Sequence, residues 1–186
     1  MASKVYITPA GARALRDELR NIWSVTRPDV TQKVSDAAAL GDRSENADYI
    51  YGKKQLREID KRIRYLTKRL DNLEIVDRPP PELDKIYFGA WVRLEDEAGE
   101  ISELRIVGVD EFDLKKRWIS IDSPVAKTLL GKSKGMDVLL KRPIGDQEMY
   151  ISEVSYDGFG KFSLPNPNDI TAHPHSHPRE LQENSF

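Results

Sequence analysis

The sequence predicts an α+β protein, with an N-terminal antiparallel coiled-coil hairpin followed by a small antiparallel β-sheet domain that carries one short helix. Three observations predict it: an apolar repeat of period 3.5 in the first half, three consecutive prolines at residues 79–81, and several β-branched or aromatic runs in the second half. With 186 residues, 32% of them charged, the chain suits an elongated helical part joined to a compact part.

Composition also limits the cellular setting. The chain has no cysteine, which excludes disulfides and thiolate-bound zinc. Its N-terminus has no apolar signal-peptide core, and no stretch approaches the roughly 18 apolar residues of a membrane span. We therefore expect a cytoplasmic protein that does not contact a membrane.

The first predicted helix begins at Thr8-Pro9, because threonine can accept a hydrogen bond as N-cap and proline is favoured at the first helical position. Pro28 interrupts the apolar pattern, so a kink or short break is predicted near Arg27-Pro28. The pattern is carried by Leu15, Leu19, Ile22, Val30, Val34 and Ala37.

The second predicted helix has a regular apolar seam with alternating spacings of three and four residues, typical of a coiled coil. About 30 residues at a rise of 1.5 Å would make this helix about 45 Å long. Glycine is the weak member of the seam, which consists of Tyr49, Gly52, Leu56, Ile59, Ile63, Leu66, Leu70 and Leu73.

The prolines end the hairpin and divide the chain. We predict a hairpin over residues 1–77, a linker over 78–84, a sheet domain over 85–164 and a disordered tail over 165–186. The sheet domain should hold about five strands and a short helix, capped by Ser123 or Asp122, with Pro124 in its first turn. The tail contains His173, His175 and His177, for which a flexible polar segment is favoured over a metal site.

Acidic residues mark the connection between the two helices. Gly41 suits a helix C-terminus, and Asp42 and Glu45 have the spacing of a capping box, with Asp48 favouring the positive end of the helix dipole. The alternative is that Asp42 and Glu45 ligate Mg²⁺. Magnesium takes one or two protein carboxylates and keeps waters or phosphate oxygens, so a partner would have to complete such a site.

Cations dominate the stretch that follows. Residues 1–77 hold 15 Lys and Arg against 12 Asp and Glu, and eight of these cations lie between Lys53 and Arg69, where Glu58 and Asp60 are the acids. Phosphate contact is favoured over a merely solvated helix face because most of these cations lack an acidic neighbour. Tyr51 could stack on bases, whereas Tyr49 lies on the seam and is expected to pack. One outward stripe holds Lys53, Arg57, Lys61, Arg64 and Lys68, which with Lys54 form the basic patch.

The sequence resembles the GreA/GreB family of bacterial transcript cleavage factors over about residues 4–158. The resemblance rests on "AAALGDRSENADYIYGKKQLREIDKRIRYLTKRL", of which "LGDRSENADY" is the most specific part, and on "FGAWVRLED", "RIVGVDEFD" and "ISIDSPVAKTLLGK". The two branches of the family differ in the size of this basic patch, and the six cations found here fit the branch in which the patch is larger.

The resemblance implies a function that the residues alone do not. The hairpin would enter the secondary channel of a backtracked bacterial RNA polymerase. There Asp42 and Glu45 would help to hold a second catalytic Mg²⁺, shared with the polymerase and not stably bound by the free factor. The polymerase itself would cleave the transcript, so the chain would not be an enzyme. It would act as a monomer, with its basic patch on the extruded 3′ end of the RNA.

The resemblance also implies that the C-terminal domain is FKBP-like and docks on the β′ coiled coil of the polymerase. The docking loop would be Asp122, Ser123, Pro124 and Val125, for which an ordinary helix N-terminus is an equal alternative. Two other functions stay open: a channel-binding regulator that blocks rather than cleaves, and a peptidyl-prolyl isomerase, which ranks low because a fold does not confer a site.

Overall fold

The computed structural model describes residues 4–40, 45–141 and 145–159. It confirms the α+β fold class, with a helical hairpin followed by a mainly antiparallel sheet. None of the helices described here combines the length and the apolar character that a membrane span requires. In chain order the elements are β1 (Val5–Ile7), α1 (Pro9–Asn21), a π-helical segment (Ile22–Thr26), α2 (Arg27–Ala39), α3 (Ala47–Asp71), β2 (Leu73–Ile75), β3 (Trp91–Asp96), β4 (Ile101–Val107), a 3₁₀ turn (Leu114–Lys116), β5 (Trp118–Ser120), α4 (Pro124–Leu129), β6 (Asp137–Leu140) and β7 (Gln147–Ser155).

The first helix begins where the sequence predicts, with the Thr8 hydroxyl accepting a hydrogen bond from the Gly11 amide. The expected break before Pro28 takes the form of the π-helical segment, in which the Arg27 N–H donates to the Ile22 carbonyl, five residues back. Proline has no N–H and its ring crowds the carbonyl four residues earlier, so a wider turn before it relieves the conflict. The chain therefore stays helical from α1 through Pro28 into α2.

Contacts between the helices show that the hairpin is antiparallel. Residues that advance along the first helices meet residues that recede along α3, as in the pairs Glu18 with Arg62 and Val34 with Gly52. A Cβ on Gly52 would lie 2.5 Å from Val34 Cγ2, so the weakest member of the seam is a point of closest approach. Each predicted seam residue is buried or half-buried, which confirms the pattern.

The base of the hairpin contains a two-stranded sheet that the sequence analysis missed. Helix α3 has 25 residues and ends at Asp71, so Leu73 lies in β2 rather than on the helix as predicted. Strand β2 pairs in parallel with β1, in register Val5 with Leu73. This sheet closes a small core of Ile7, Ala12, Leu15 and Leu66.

The second half contains the five predicted strands in the order β5-β4-β3-β7-β6. All neighbours are antiparallel except β4 and β5, which run parallel. Alternation along β3 places Val92 and Leu94 in the core, where Leu129 of α4 covers the same face. Ser123 caps α4, which confirms Ser123 rather than Asp122 among the two N-caps that the sequence predicted.

A buried carboxylate fastens the hairpin to the sheet domain. Glu111, 9% exposed, follows β4, and its Oε2 accepts hydrogen bonds from the backbone N–H of Thr8 and of Gly108, each 3.0 Å long. Its Oε1 accepts a hydrogen bond from the Thr8 hydroxyl. The backbone around this carboxylate leaves no room for a side chain at either glycine. A Cβ on Gly11 would lie 2.3 Å from the carboxylate, and a Cβ on Gly108 would lie 2.5 Å from the Tyr6 carbonyl oxygen.

The adjacent residue Asp110 makes a second connection, to α3. The Tyr65 hydroxyl donates to Asp110 Oδ1 over 2.5 Å, and Arg69 Nε forms an ion pair with Asp110 Oδ2 at 2.8 Å. Arg69 also donates to the Tyr65 hydroxyl over 3.1 Å. We call Thr8, Tyr65, Arg69, Asp110 and Glu111 the clasp.

Replacing Glu111 with alanine should lower the free energy of unfolding by about 1–3 kcal/mol, because the amides of Thr8 and Gly108 would lose their buried acceptor. Glu111→Gln keeps one acceptor oxygen and should cost less. Chemical denaturation measures both changes against Glu97→Ala, which removes an exposed carboxylate from the β3–β4 turn. Equal unfolding free energies for Glu111→Ala and Glu97→Ala would contradict the role of the clasp.

Candidate functional site

The tip of the hairpin exposes a carboxylate. Glu45 lies in the turn between α2 and α3, is exposed, and forms no hydrogen bond or ion pair with any residue that the structure describes. Asp42 belongs to residues 41–44, which lie outside the described part, so the geometry of the predicted pair stays a prediction.

The predicted capping box is wrong, because α3 begins at Ala47 and its N-cap is Asn46. The Asn46 side chain accepts a hydrogen bond from the Tyr49 N–H at 3.1 Å and donates to the Ala37 carbonyl at 2.9 Å. Asn46 thus ties the end of α2 to the start of α3. The signal that could have found it is an asparagine two residues before Asp48, which lies in the first helical turn as expected.

Because the capping role falls to Asn46, the carboxylate of Glu45 is not needed to start α3. An exposed carboxylate oxygen is the type of ligand that Mg²⁺ prefers, and one or two such groups suffice when a partner supplies the rest. The residues present therefore fit a shared magnesium ion. Among the described residues no three His, Cys, Asp or Glu side chains cluster as a complete metal site.

The basic patch lies on the outward face of α3. All six side chains are exposed, and none forms an ion pair with a carboxylate in the described part of the chain. Two cations of the same stretch have structural partners instead: Arg69 belongs to the clasp, and Arg62 donates to both carboxylate oxygens of Glu18 at 2.7 and 2.8 Å. These hydrogen bonds raise the pKa of Arg62. The patch is Lys53, Lys54, Arg57, Lys61, Arg64 and Lys68.

The two tyrosines near the tip differ as the sequence indicated. Tyr49 is half-buried on the seam, and the Lys53 ammonium lies 5.4 Å from its ring centroid. Tyr51 is 70% exposed. Only Tyr51 therefore presents most of its ring to a partner.

The predicted docking loop combines exposed and structural residues. Asp122 and Pro124 are exposed, whereas Ser123 caps α4 through the Ala126 amide and Val125 packs on the core of the sheet domain. A partner could therefore contact Asp122 and Pro124 directly. Changes to Ser123 or Val125 would disturb α4 as well.

The fold and this site define a two-part α+β protein. Its helical arm carries a carboxylate at its end and, along one face, cations that form no ion pair within the described part of the chain. A family model described as the N-terminal part of a transcription elongation factor matches residues 5–75. A second, described as the C-terminal part of transcription elongation factor GreA/GreB, matches residues 80–156. The chain belongs to the GreA/GreB family of transcription elongation factors, as the sequence resemblance predicted.

Two curated relatives support the same assignment. Transcription elongation factor GreB of Haemophilus ducreyi is 56% identical over 157 residues, which cover 84% of this chain and 97% of the relative. GreB of Pasteurella multocida is 58% identical over 157 residues, which cover 84% of this chain and 99% of the relative. Among solved structures, a crystal structure of Thermus aquaticus Gfh1 is 26% identical in sequence, and the match covers 83% of this chain and 99% of that one, with a TM-score of 0.39.

Replacing Asn46 with alanine should lower the free energy of unfolding by about 1 kcal/mol, because the α3 amides would lose their cap. Asn46→Asp keeps an acceptor for the Tyr49 amide and should retain most of that stability, although it cannot donate to Ala37. Thermal unfolding followed by circular dichroism compares them. If Asn46→Asp were as destabilised as Asn46→Ala, the N-cap would not be the main contribution of Asn46 to the free energy of unfolding.

Proposed function

We propose that this chain inserts its hairpin into the secondary channel of bacterial RNA polymerase and stimulates the polymerase's own Mg²⁺-dependent cleavage of backtracked transcripts. The observation that carries this proposal is the exposed Glu45 at the end of a long arm, free of a capping role, beside a patch of cations that have no carboxylate partner among the residues that the structure describes. Membership in a family of elongation factors supports transcription as the setting.

The acidic tip would act on the reaction through a shared metal ion. Asp42 and Glu45 would supply carboxylate oxygens to a magnesium ion whose other ligands come from the polymerase and the RNA. When bound, that ion would stabilise charge and activate water for phosphodiester hydrolysis. The chain itself would place the carboxylates, and the close packing of α2 against α3 at Val34 and Gly52 would limit their movement.

The remaining parts would provide binding. The basic patch would neutralise phosphates of the extruded 3′ RNA, and the exposed Asp122 and Pro124 would contact the β′ coiled coil at the channel rim. The protein would work in the cytoplasm as a monomer and as an accessory factor, without cleaving RNA alone. The clasp would keep the docked domain and the arm in a fixed relation.

Asp42→Asn and Glu45→Gln should each reduce cleavage of backtracked RNA by about 10- to 100-fold at limiting Mg²⁺, because each removes an anionic ligand. Neither residue caps α3, so melting temperature and polymerase binding should stay unchanged. Labelled transcripts in stalled complexes report cleavage, and raised Mg²⁺ should restore part of it.

Asp48→Asn is the matched control, because Asp48 is an exposed acid in the first turn of α3 that has no assigned ligand role. Full cleavage by Asp42→Asn and Glu45→Gln at limiting Mg²⁺ would contradict the metal role of the tip. Normal binding of the wild-type chain without any cleavage would favour the blocking regulator.

Replacing Arg57, Lys61 and Arg64 with glutamate should weaken cleavage of complexes with long extruded RNA and leave the fold intact, because these exposed residues have no carboxylate partners in the described part of the chain. Three lost phosphate contacts should flatten the slope of log affinity against log salt by about 2.

The control makes the same charge change away from the arm, at the exposed Lys132, Lys134 and Lys141. Cleavage and salt dependence should then match the wild type. An unchanged salt slope in the triple variant on α3 would show that the basic patch does not bind RNA.

A further inference from the structure

A groove on the hairpin has no assigned role. It has a volume of about 450 Å³ and lies between α1 and α3, with Leu19, Trp23, Ile63 and Leu70 forming its apolar lining. Trp23 belongs to the π-helical segment, which contains no buried residue. The groove therefore presents an aromatic ring at the surface instead of enclosing it.

Trp23 is 62% exposed and forms no hydrogen bond or ring contact with the residues that the structure describes. A large aromatic side chain gains most from burial, so leaving this ring open forgoes stability that packing would supply. Val25 of the same segment is exposed to a similar degree, 59%, but does not line the groove. Exposure alone thus does not distinguish Trp23, whereas its place in the groove does.

The charges around the groove favour an anionic partner. Arg16 and Arg20 line it on α1, and Arg64 of the basic patch lies one turn before Thr67, which lines it on α3. The acids within one turn of the lining include Asp17, which pairs with Arg20 at 3.4 Å, Asp60, which pairs with Arg27 at 2.8 Å, and Asp71. Cations therefore outnumber acids on the α1 edge of the groove, where Arg16 forms no ion pair with any described residue, whereas cations and acids balance on the α3 edge.

We propose that Trp23 is a stacking platform for a base of single-stranded RNA whose phosphates contact Arg16 and the basic patch. Stacking on an exposed indole between cations is a general way of holding single-stranded nucleic acid without reading its sequence. The source of the RNA rests on the proposed function. Thr67 lies 20 residues beyond Ala47, or about 30 Å along α3, so only a long extruded 3′ segment reaches the groove from the tip.

The test uses the full chain with Trp23→Ala, Trp23→Phe and the matched control Val25→Ala. Binding of a single-stranded RNA oligonucleotide to the free protein should weaken at least about fivefold in Trp23→Ala, and remain near wild type in Trp23→Phe and Val25→Ala. In backtracked polymerase complexes, Trp23→Ala should slow cleavage of RNA with a long extruded segment and spare RNA with a short one.

Two results would overturn the proposal. Unchanged RNA binding in Trp23→Ala would show that the ring does not stack, and equal loss of cleavage on short and long segments would indicate a contact with protein in the channel. The free-protein measurement does not depend on the polymerase. If the tip carboxylates did not support cleavage, the proposed function would fail, but RNA binding by free Trp23→Ala would still test the stacking role of Trp23.

Discussion

The carboxylate of Glu111 is the constraint on which the arrangement of the arm depends. It accepts hydrogen bonds from the Thr8 amide, from the Thr8 hydroxyl and from the Gly108 amide, and so joins the start of α1 to the loop after β4. Asp110 connects the same loop to Tyr65 and Arg69 near the end of α3. Both helices of the hairpin are thereby fixed at their base, and an arm fixed at its base can hold its tip in a defined place.

The hairpin separates structural from available charges. Arg62 and Arg69 form ion pairs with Glu18 and Asp110, whereas the six cations of the basic patch have no carboxylate partner among the described residues. At the tip, Asn46 caps α3 and ties it to Ala37, which leaves Glu45 exposed. The groups that maintain the fold therefore differ from those assigned to binding and chemistry, and the second set can be changed without unfolding the first.

Local patterns in the sequence predicted local structure well. Alternating spacings identified the seam of α3, Thr8-Pro9 and Ser123-Pro124 marked two helix starts, and β-branched runs located five strands. The clasp could not be predicted, because Thr8 and Glu111 are 103 residues apart and no spacing rule links them. Asn46 was missed because Asp42 and Glu45 offered a capping box nearby, and β2 was missed because Leu73 continued the helical period. The assignment of the tip to a metal came from the family resemblance, since two carboxylates alone fit either role.

The most direct test of the account adds the wild-type chain to stalled, backtracked RNA polymerase that carries labelled RNA, with Mg²⁺ present, and follows the transcript over time. The account predicts rapid release of a 3′ fragment and renewed extension of the retained RNA once nucleotides are supplied. It also predicts no cleavage of the same RNA when polymerase is left out. Cleavage without polymerase, or binding to the stalled complex with no acceleration of cleavage, would contradict it.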